Sequence, residues 1–356
     1  MARPITGEDL SEREQSILKD VIHTYVLTGE PVSSRTVSKH AQHGLSAASI
    51  RNVMADLEDM DLLCQPHTSA GRVPTEAAYR LYVQALMTRS SLSPQDKHYI
   101  EDRLREAGDA EQTMAAITHL LSELSDQVGV VLTPVVDEIF LKSADFVPIG
   151  RRKVLCVLVS TSGFIDNVTV RTDEEVTRDD LVRMSNYVTE SFSGKRLRRI
   201  REDLLRRMAS EKSDVDRWLT GALRLAQQAL HGSAEQEVLL EGASSLLGRP
   251  ELSDVERVRR MLDTFADQAR LVNLLSRCLE SEGGVRVFIG EDSDVTSELE
   301  FSMVATTYGS GDGALGSLGV IGPSRMEYPR MVPLVRHLGK TLSRALSQAE
   351  SGRRLP

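Results

Sequence analysis

The sequence predicts a multidomain α+β protein with a winged helix-turn-helix at its N-terminus and an antiparallel-sheet domain interrupted by a mainly helical insertion. Three observations carry this. Two short capped helices joined by a glycine-containing turn fall within residues 33–60. A polar hairpin pattern follows at residues 62–74. Beyond residue 127, two strand-rich parts are separated by a long helical block at residues 178–282. A chain of 356 residues has room for two to three domains. With 40% hydrophobic and 27% charged residues it can bury real cores, so no disulfide or metal staple is needed.

The elements follow in order. Ser11 with Glu14 makes a capping box, in which each side chain satisfies the other's free backbone N–H. Ile17, Leu18, Val21, Ile22 and Tyr25 then recur on one face, and Gly29 closes the helix. Ser33 caps a second helix, with Val32 and Val37 as its hydrophobic staple, and Gly44 ends it. Ser46 caps a third helix at about 46–60, with Leu45 and Ile50 as staple. Ile50, Val53, Met54 and Leu57 form its apolar face, so Ala48, Arg51, Asn52 and Ala55 point the other way. Leu62–Pro66 and Gly71–Pro74 then flank His67, Thr68, Ser69 and Ala70 as a short hairpin, the wing.

These residue types suit a major groove. Ala48 permits close approach, Arg51 can be bidentate to guanine and Asn52 to adenine. Ser33, Ser46 and Ser49 stand at helix N-termini, where hydroxyls and backbone N–H groups can hold phosphate. Arg35, Lys39 and Arg72, with His67, Thr68 and Ser69 of the wing, are the expected backbone or minor-groove contacts. His40 and His43 read as turn or DNA-side residues.

Charge placement agrees. The whole chain carries −9, so a nucleic-acid contact must be local. Residues 31–55 hold Arg35, Lys39 and Arg51 and no acid, and residues 62–75 hold Arg72 and no acid. Asp56, Glu58, Asp59 and Asp61 lie between these zones. A mildly acidic domain can thus turn an acid-free face to phosphate. Aromatic residues are only 4%, which argues against a surface built on base stacking.

Residues 91–97, with Pro94, read as a linker, and a helical stretch follows at about 98–127. Strands are expected at Val128–Leu132, Phe140–Phe146, Val154–Val159 and Asn167–Arg171, then at Val285–Ile289, Phe301–Thr307 and Leu315–Ile321, with a closing helix after Pro329. This divides the chain into residues 1–90, a sheet domain of 91–177 and 283–356, and an insertion of 178–282. In the insertion, Leu197, Ile200, Leu204 and Met208 form one apolar stripe, and Trp218, Leu219, Leu223 and Leu230 another. They either meet a second subunit or pack within their own. The basic run Lys195, Arg196, Arg198, Arg199 and Arg201 reads as a solvated helix face partnered by Glu202 and Asp203.

Other chemistry lacks its motifs. Gly311, Gly313 and Gly316 match G-x-G-x-x-G, but a strand rather than a helix follows, so the site reads as a hairpin loop. There is no H-E-x-x-H, C-x-x-C or G-x-S-x-G, and Cys64, Cys156 and Cys278 fit neither a metal site nor a disulfide framework. No cofactor or metal is expected. No apolar segment approaches membrane-spanning length and the N-terminus is no signal peptide, so a cytoplasmic protein with no membrane partner is expected.

The runs Leu57–Leu63, His67-Thr68-Ser69-Ala70-Gly71-Arg72-Val73-Pro74-Thr75 and Ala78-Tyr79-Arg80-Leu81-Tyr82-Val83, with Glu30–Arg35 and Ser49–Met54 upstream, resemble the HrcA family of bacterial heat-inducible transcription repressors. The tail, Gly316–Pro323 and Met326–Pro329, is similar too. Asp61 and Cys64 depart from the family pattern, where Gly and a polar or β-prone residue are expected, which leaves the turn before the wing open. The resemblance implies a winged-helix domain, a GAF-like domain and a dimerising domain inserted in the latter. On that reading Leu197, Ile200, Leu204, Trp218, Leu219 and Leu223 supply dimer contacts. It further implies a homodimer on the CIRCE inverted repeat upstream of chaperone operons, with repression dependent on the GroE chaperonin and lost on heat shock. Two other readings are a winged-helix regulator whose GAF-like domain senses a small metabolite, and an enzyme or sensor with an incidental helix-turn-helix.

Overall fold

The computed structural model describes residues 6, 9–40, 44–67, 70–86, 91–134, 139–172, 174–210, 224–228, 236–247, 249, 254–279, 284–290, 296, 301–310 and 313–350. His43, Thr68, Ser69, Trp218, Leu219, Leu223 and Leu230 lie outside them.

The first helix, α1 (Glu12–Thr28), opens on the expected capping box. The Ser11 hydroxyl accepts the Glu14 N–H at 3.3 Å, and the Glu14 carboxylate accepts the Ser11 N–H at 2.7 Å. The Ser11 hydroxyl also donates to that carboxylate at 2.7 Å, and this bond, with the one from the Ser11 N–H, holds the Glu14 carboxyl below its ordinary range. Gly29 ends the helix at φ +72°, its N–H reaching the Tyr25 carbonyl at 2.8 Å. Helices α2 (Ser34–His40) and α3 (Ala47–Asp59) follow with Ser33 and Ser46 as their caps. Ile17, Val21, Ile22, Val37, Ile50, Met54 and Leu57 close a small core between the three helices.

The turn after α3 is a Schellman motif. The Asp61 N–H donates to the Glu58 carbonyl and the Leu62 N–H to the Leu57 carbonyl, each at 2.9 Å. Leu57 and Leu62 are both buried. The motif needs a left-handed residue, and Asp61 supplies it at φ +57°. The chain then forms a hairpin of β1 (Leu63–Cys64) and β2 (Val73–Pro74), paired antiparallel. Val32 and Arg72 exchange two backbone hydrogen bonds of 2.9 Å, which fastens the hairpin to the α1–α2 connection. Gly71 lies so close to that connection that a Cβ there would sit 2.5 Å from the Val32 carbonyl carbon.

Helix α4 (Glu76–Leu86) leaves the hairpin. Residues 91–97 are not a simple linker. Ser93 caps α5 (Pro94–Leu104), and Pro94 occupies the first turn, where its missing N–H forfeits no bond. The single stretch expected at 98–127 is two helices, because Asp109 caps a new one, α6 (Ala110–Ser125).

Strand β3 (Val128–Leu132) is buried on both faces. It lies in a five-stranded antiparallel sheet with β7 (Val238–Glu241), β8 (Val285–Ile289), β9 (Phe301–Ser310) and β10 (Gly313–Pro323), in the order β7-β3-β10-β9-β8. Val128, Val130 and Leu132 of β3 face a core with Met261, Phe265 and Leu274 of helices α9 (Val255–Ala266) and α10 (Gln268–Ser276). Val131 and the β9 residues Val304 and Tyr308 face the other way, onto α6 and the terminal helix α11 (Tyr328–Glu350). The sheet is therefore clad by helices on both faces. The glycine-rich segment near 313 is a β9–β10 hairpin, with Gly313 opposite Ser310.

Strands β4 (Leu141–Gly150), β5 (Lys153–Ser160) and β6 (Ile165–Arg171) form a separate antiparallel meander. One of its faces packs on α7 (Arg178–Phe192) and α8 (Leu197–Ser210). This corrects the expected boundaries. The excursion from the main sheet runs from the end of β3 to the start of β7 and contains strands, whereas β7, α9 and α10 belong with the five-stranded sheet. Strand spacing reveals that strands exist but not which of them pair. At the neck, Thr133 N–H donates to the Glu237 carbonyl at 2.9 Å and Glu237 N–H to the Thr133 hydroxyl at 2.8 Å.

A second correction concerns the apolar stripe. Leu197, Ile200 and Leu204 are at most 5% exposed, inside the core shared by α7, α8 and the meander. They cannot also face a second subunit. In the adjacent basic run Lys195 lies 3.7 Å from Asp203, as the charge pattern suggests, whereas Arg196 stacks 5.3 Å from the Phe140 ring.

Two substitutions test the hairpin region in opposite directions. Asp61→Gly removes a left-handed Cβ without touching the two capping bonds, so urea denaturation should show a gain of about 1 kcal/mol. Gly71→Ala forces the hairpin off the Val32 backbone and should cost about 2 kcal/mol, with faster hydrogen exchange at the Val32 and Arg72 amides. Equal effects of the two would contradict this geometry.

Candidate nucleic-acid interface

The third helix owes its orientation to its apolar face. Ile50, Val53, Met54 and Leu57 are buried, so Ala48, Arg51 and Asn52 must point away from the core, and all three are exposed. At its N-terminus the Ser46 hydroxyl accepts the Ser49 N–H at 3.1 Å and donates to the Ser49 hydroxyl at 3.1 Å. On α2 and at its cap, Arg35, Lys39 and Ser33 are exposed. The Ser33 hydroxyl accepts the Thr36 N–H at 3.2 Å and lies 2.9 Å from the Thr36 hydroxyl. Among the described residues, Arg35, Lys39 and Arg51 enter no ion pair, so their charges are available to an external anion.

The base of the hairpin adjoins this surface, where Arg72 pairs with Val32 next to the Ser33 cap. His67 is exposed, its carbonyl accepts the Ala70 N–H at 2.9 Å, and the Gln65 amide donates to the Ala70 carbonyl at 2.9 Å. The tip residues Thr68 and Ser69 are outside the described residues.

Arg72 is placed differently from the sequence expectation. Its guanidinium turns to the third helix, with Nη2 2.7 Å and Nε 2.9 Å from Glu58 Oε2. Only 17% of the side chain is exposed, so it does not stand open to phosphate. Sequence reasoning missed Glu58 as its partner, because 14 residues and a change of element separate the two. It also missed Gly71, whose close approach to Val32 exists only once the hairpin has folded back.

The three-helix unit is seated on the five-stranded sheet. The Arg80 guanidinium donates to the Ile289 carbonyl at 2.8 Å, and that of Arg325 to the Val26 carbonyl at 3.3 Å. The Tyr79 and Tyr328 rings lie 5.8 Å apart. The Tyr328 hydroxyl donates to the Ser324 carbonyl at 2.7 Å and meets the Ser302 hydroxyl at 3.0 Å. Burial pushes the Tyr328 phenol far above its ordinary range, so it stays neutral.

No helix among the described residues is long and apolar enough to cross a membrane. The arrangement is an exposed, cation-bearing helix face with a polar hairpin beside it, carried on a rigid apolar base. It can bind a polyanion of regular shape.

Residues 111–332 match the family model for the HrcA protein C terminal domain. A heat-inducible transcription repressor HrcA of Geobacter sulfurreducens is 40% identical over 339 residues, which are 95% of this chain and 98% of that protein. One of Syntrophobacter fumaroxidans is 36% identical over 96% of this chain and 98% of that protein. A crystal structure described as a hypothetical protein shares the fold, with a TM-score of 0.61 and 22% identity, over 96% of this chain and 99% of the other. With a family match across more than half its length and relatives aligned nearly end to end, the chain belongs to the HrcA family of heat-inducible transcription repressors.

Proposed function

We propose that the protein represses heat-shock chaperone operons by binding the CIRCE inverted repeat as a homodimer, through an N-terminal winged helix. The observation that carries this is the exposed face of the third helix, where Ala48, Arg51 and Asn52 stand clear of the core within a stretch, residues 31–55, that holds no acid. Arg51 and Asn52 are its base readers. Ser33, Arg35, Lys39, Ser46 and Ser49, with the hairpin tip at His67, Thr68 and Ser69, hold the phosphate backbone. An inverted repeat calls for a two-fold dimer with one such helix per half-site. With Leu197, Ile200 and Leu204 buried in the subunit, the dimer contact lies on other residues.

The family resemblance supports a dependence on the GroE chaperonin and loss of activity on heat shock. A small loss of folding free energy then becomes a large change in active repressor. A small-metabolite sensor is the second reading. In its favour is a cavity of about 260 Å³ beside the neck, lined by Met114, Thr133, Phe140, Leu158, Phe164 and Leu239. It requires a DNA affinity that changes with ligand at constant temperature.

Fluorescence anisotropy with an inverted-repeat duplex and a scrambled duplex, at two salt concentrations, tests the main reading. Selective binding that survives the higher salt is expected. Equal, salt-sensitive binding to both, unrescued by chaperonin with nucleotide, would move the weight to the sensor. Within a selective complex, Asn52→Ala should relax discrimination at one base position by about 1–3 kcal/mol. Lys39→Ala should instead weaken all duplexes alike and lower the salt slope by about one. Equal loss on cognate and scrambled DNA for Asn52→Ala would sink its assignment.

A further inference from the structure

The hairpin beside the third helix is too small to hold its own position. Its strands are two residues each, and Pro74 has no N–H to give. Its place comes from attachments to the helices. Thr75 ties its exit to the turn after α3, with the hydroxyl donating to the Asp61 carbonyl at 2.7 Å and the N–H to the Leu62 carbonyl at 3.1 Å. Arg72 makes two further attachments at once. Its backbone pairs with Val32 on the α1–α2 connection, and its guanidinium holds Glu58 on α3 through two N–H groups. Gly71 lets the chain come close enough for the pairing with Val32.

We propose that Glu58 is a positioning residue for DNA recognition: it holds Arg72, and through it the hairpin, at the angle to the third helix that lets helix and hairpin engage one duplex together. This rests on the DNA-binding reading above. The placement of Glu58 is otherwise a cost. A carboxylate on the recognition helix repels phosphate, and that repulsion is reduced where the charge is committed to a guanidinium. The burial agrees, since 17% of the Arg72 side chain and 33% of the Glu58 side chain are exposed. A phosphate-binding arginine has to present its fork outward.

The two roles of Arg72 predict opposite signs for Glu58→Gln. If Glu58 positions the hairpin, losing its charge loosens the hairpin and weakens binding. If Arg72 is a phosphate contact that Glu58 merely restrains, losing that charge frees a cation and tightens binding.

The experiment uses the full chain with Glu58→Gln, Arg72→Gln, the double variant and Arg72→Lys. Anisotropy with the inverted-repeat and scrambled duplexes across a salt series gives affinity and slope, and hydrogen exchange at the Val32 and Arg72 amides reports the hairpin. The expected result is about a tenfold loss of inverted-repeat affinity for each Gln variant, an unchanged salt slope, and a double variant no weaker than either single one. Arg72→Lys, which keeps the charge but not the fork, should also weaken binding, and amide exchange should quicken in Glu58→Gln. Tighter binding by Glu58→Gln, or a salt slope lowered by about one in Arg72→Gln with Arg72→Lys at full affinity, would overturn the proposal. Selective binding by the unaltered chain with no change in Glu58→Gln would overturn the proposal alone. Failure of the unaltered chain to select the inverted repeat would overturn the DNA-binding reading, and the proposal with it.

Discussion

A continuous apolar core joins the N-terminal three-helix unit to one face of the five-stranded sheet, and the rest of the molecule is arranged around that burial. It runs from Ile17, Ile22 and Leu57 through Ile100 and Ile117 to Val304, Leu318 and Leu338. Tyr328 sits at the junction, fully buried, its ring against Tyr79 and its hydroxyl satisfied by Ser324 and Ser302. A buried phenol without those partners would carry a desolvation cost of about 1–3 kcal/mol, so the hydroxyl fixes how the two parts seat. The third helix is thereby carried on the sheet through one shared core instead of on a flexible tether. Packing in the sheet and the seating of that helix are linked through this one apolar core.

The same principle of satisfied attachment governs the small hairpin. Its strands contribute little, and its stability is borrowed from the α1–α2 connection, the turn after α3 and the Glu58–Arg72 pair. A surface assembled in this way is positioned by residues away from its exposed face. Charge on such a surface divides into two kinds. Arg35, Lys39 and Arg51 enter no ion pair among the described residues, whereas Arg72 is consumed in holding the surface together.

The inserted unit follows a different rule. It leaves the main sheet at β3 and returns at the adjacent strand β7, so the two ends of the excursion are hydrogen-bonded neighbours. An insertion with this geometry keeps its own core and leaves the sheet register intact. The burial of Leu197, Ile200 and Leu204 is the energetic content of that separate core.

Much of the local structure was legible in the sequence, because its causes are local. The capping box at Ser11 and Glu14, the caps at Ser33 and Ser46, and the buried face of Ile50, Val53, Met54 and Leu57 depend on residues three or four positions apart. That periodicity also determined which side of the third helix carries Ala48, Arg51 and Asn52 outward. Other features were decided by tertiary structure alone. The partner of Arg72 lies 14 residues away, β7 pairs with a strand more than 100 positions earlier, and the meander keeps to itself instead of joining the main sheet. An amphipathic stripe states only that one face seeks burial, and the stripe at Leu197 found it within its own subunit. Local periodicity records the demand for burial, and long-range packing chooses what meets it, because strand pairing and charge pairing are settled by which surfaces the folded chain brings together.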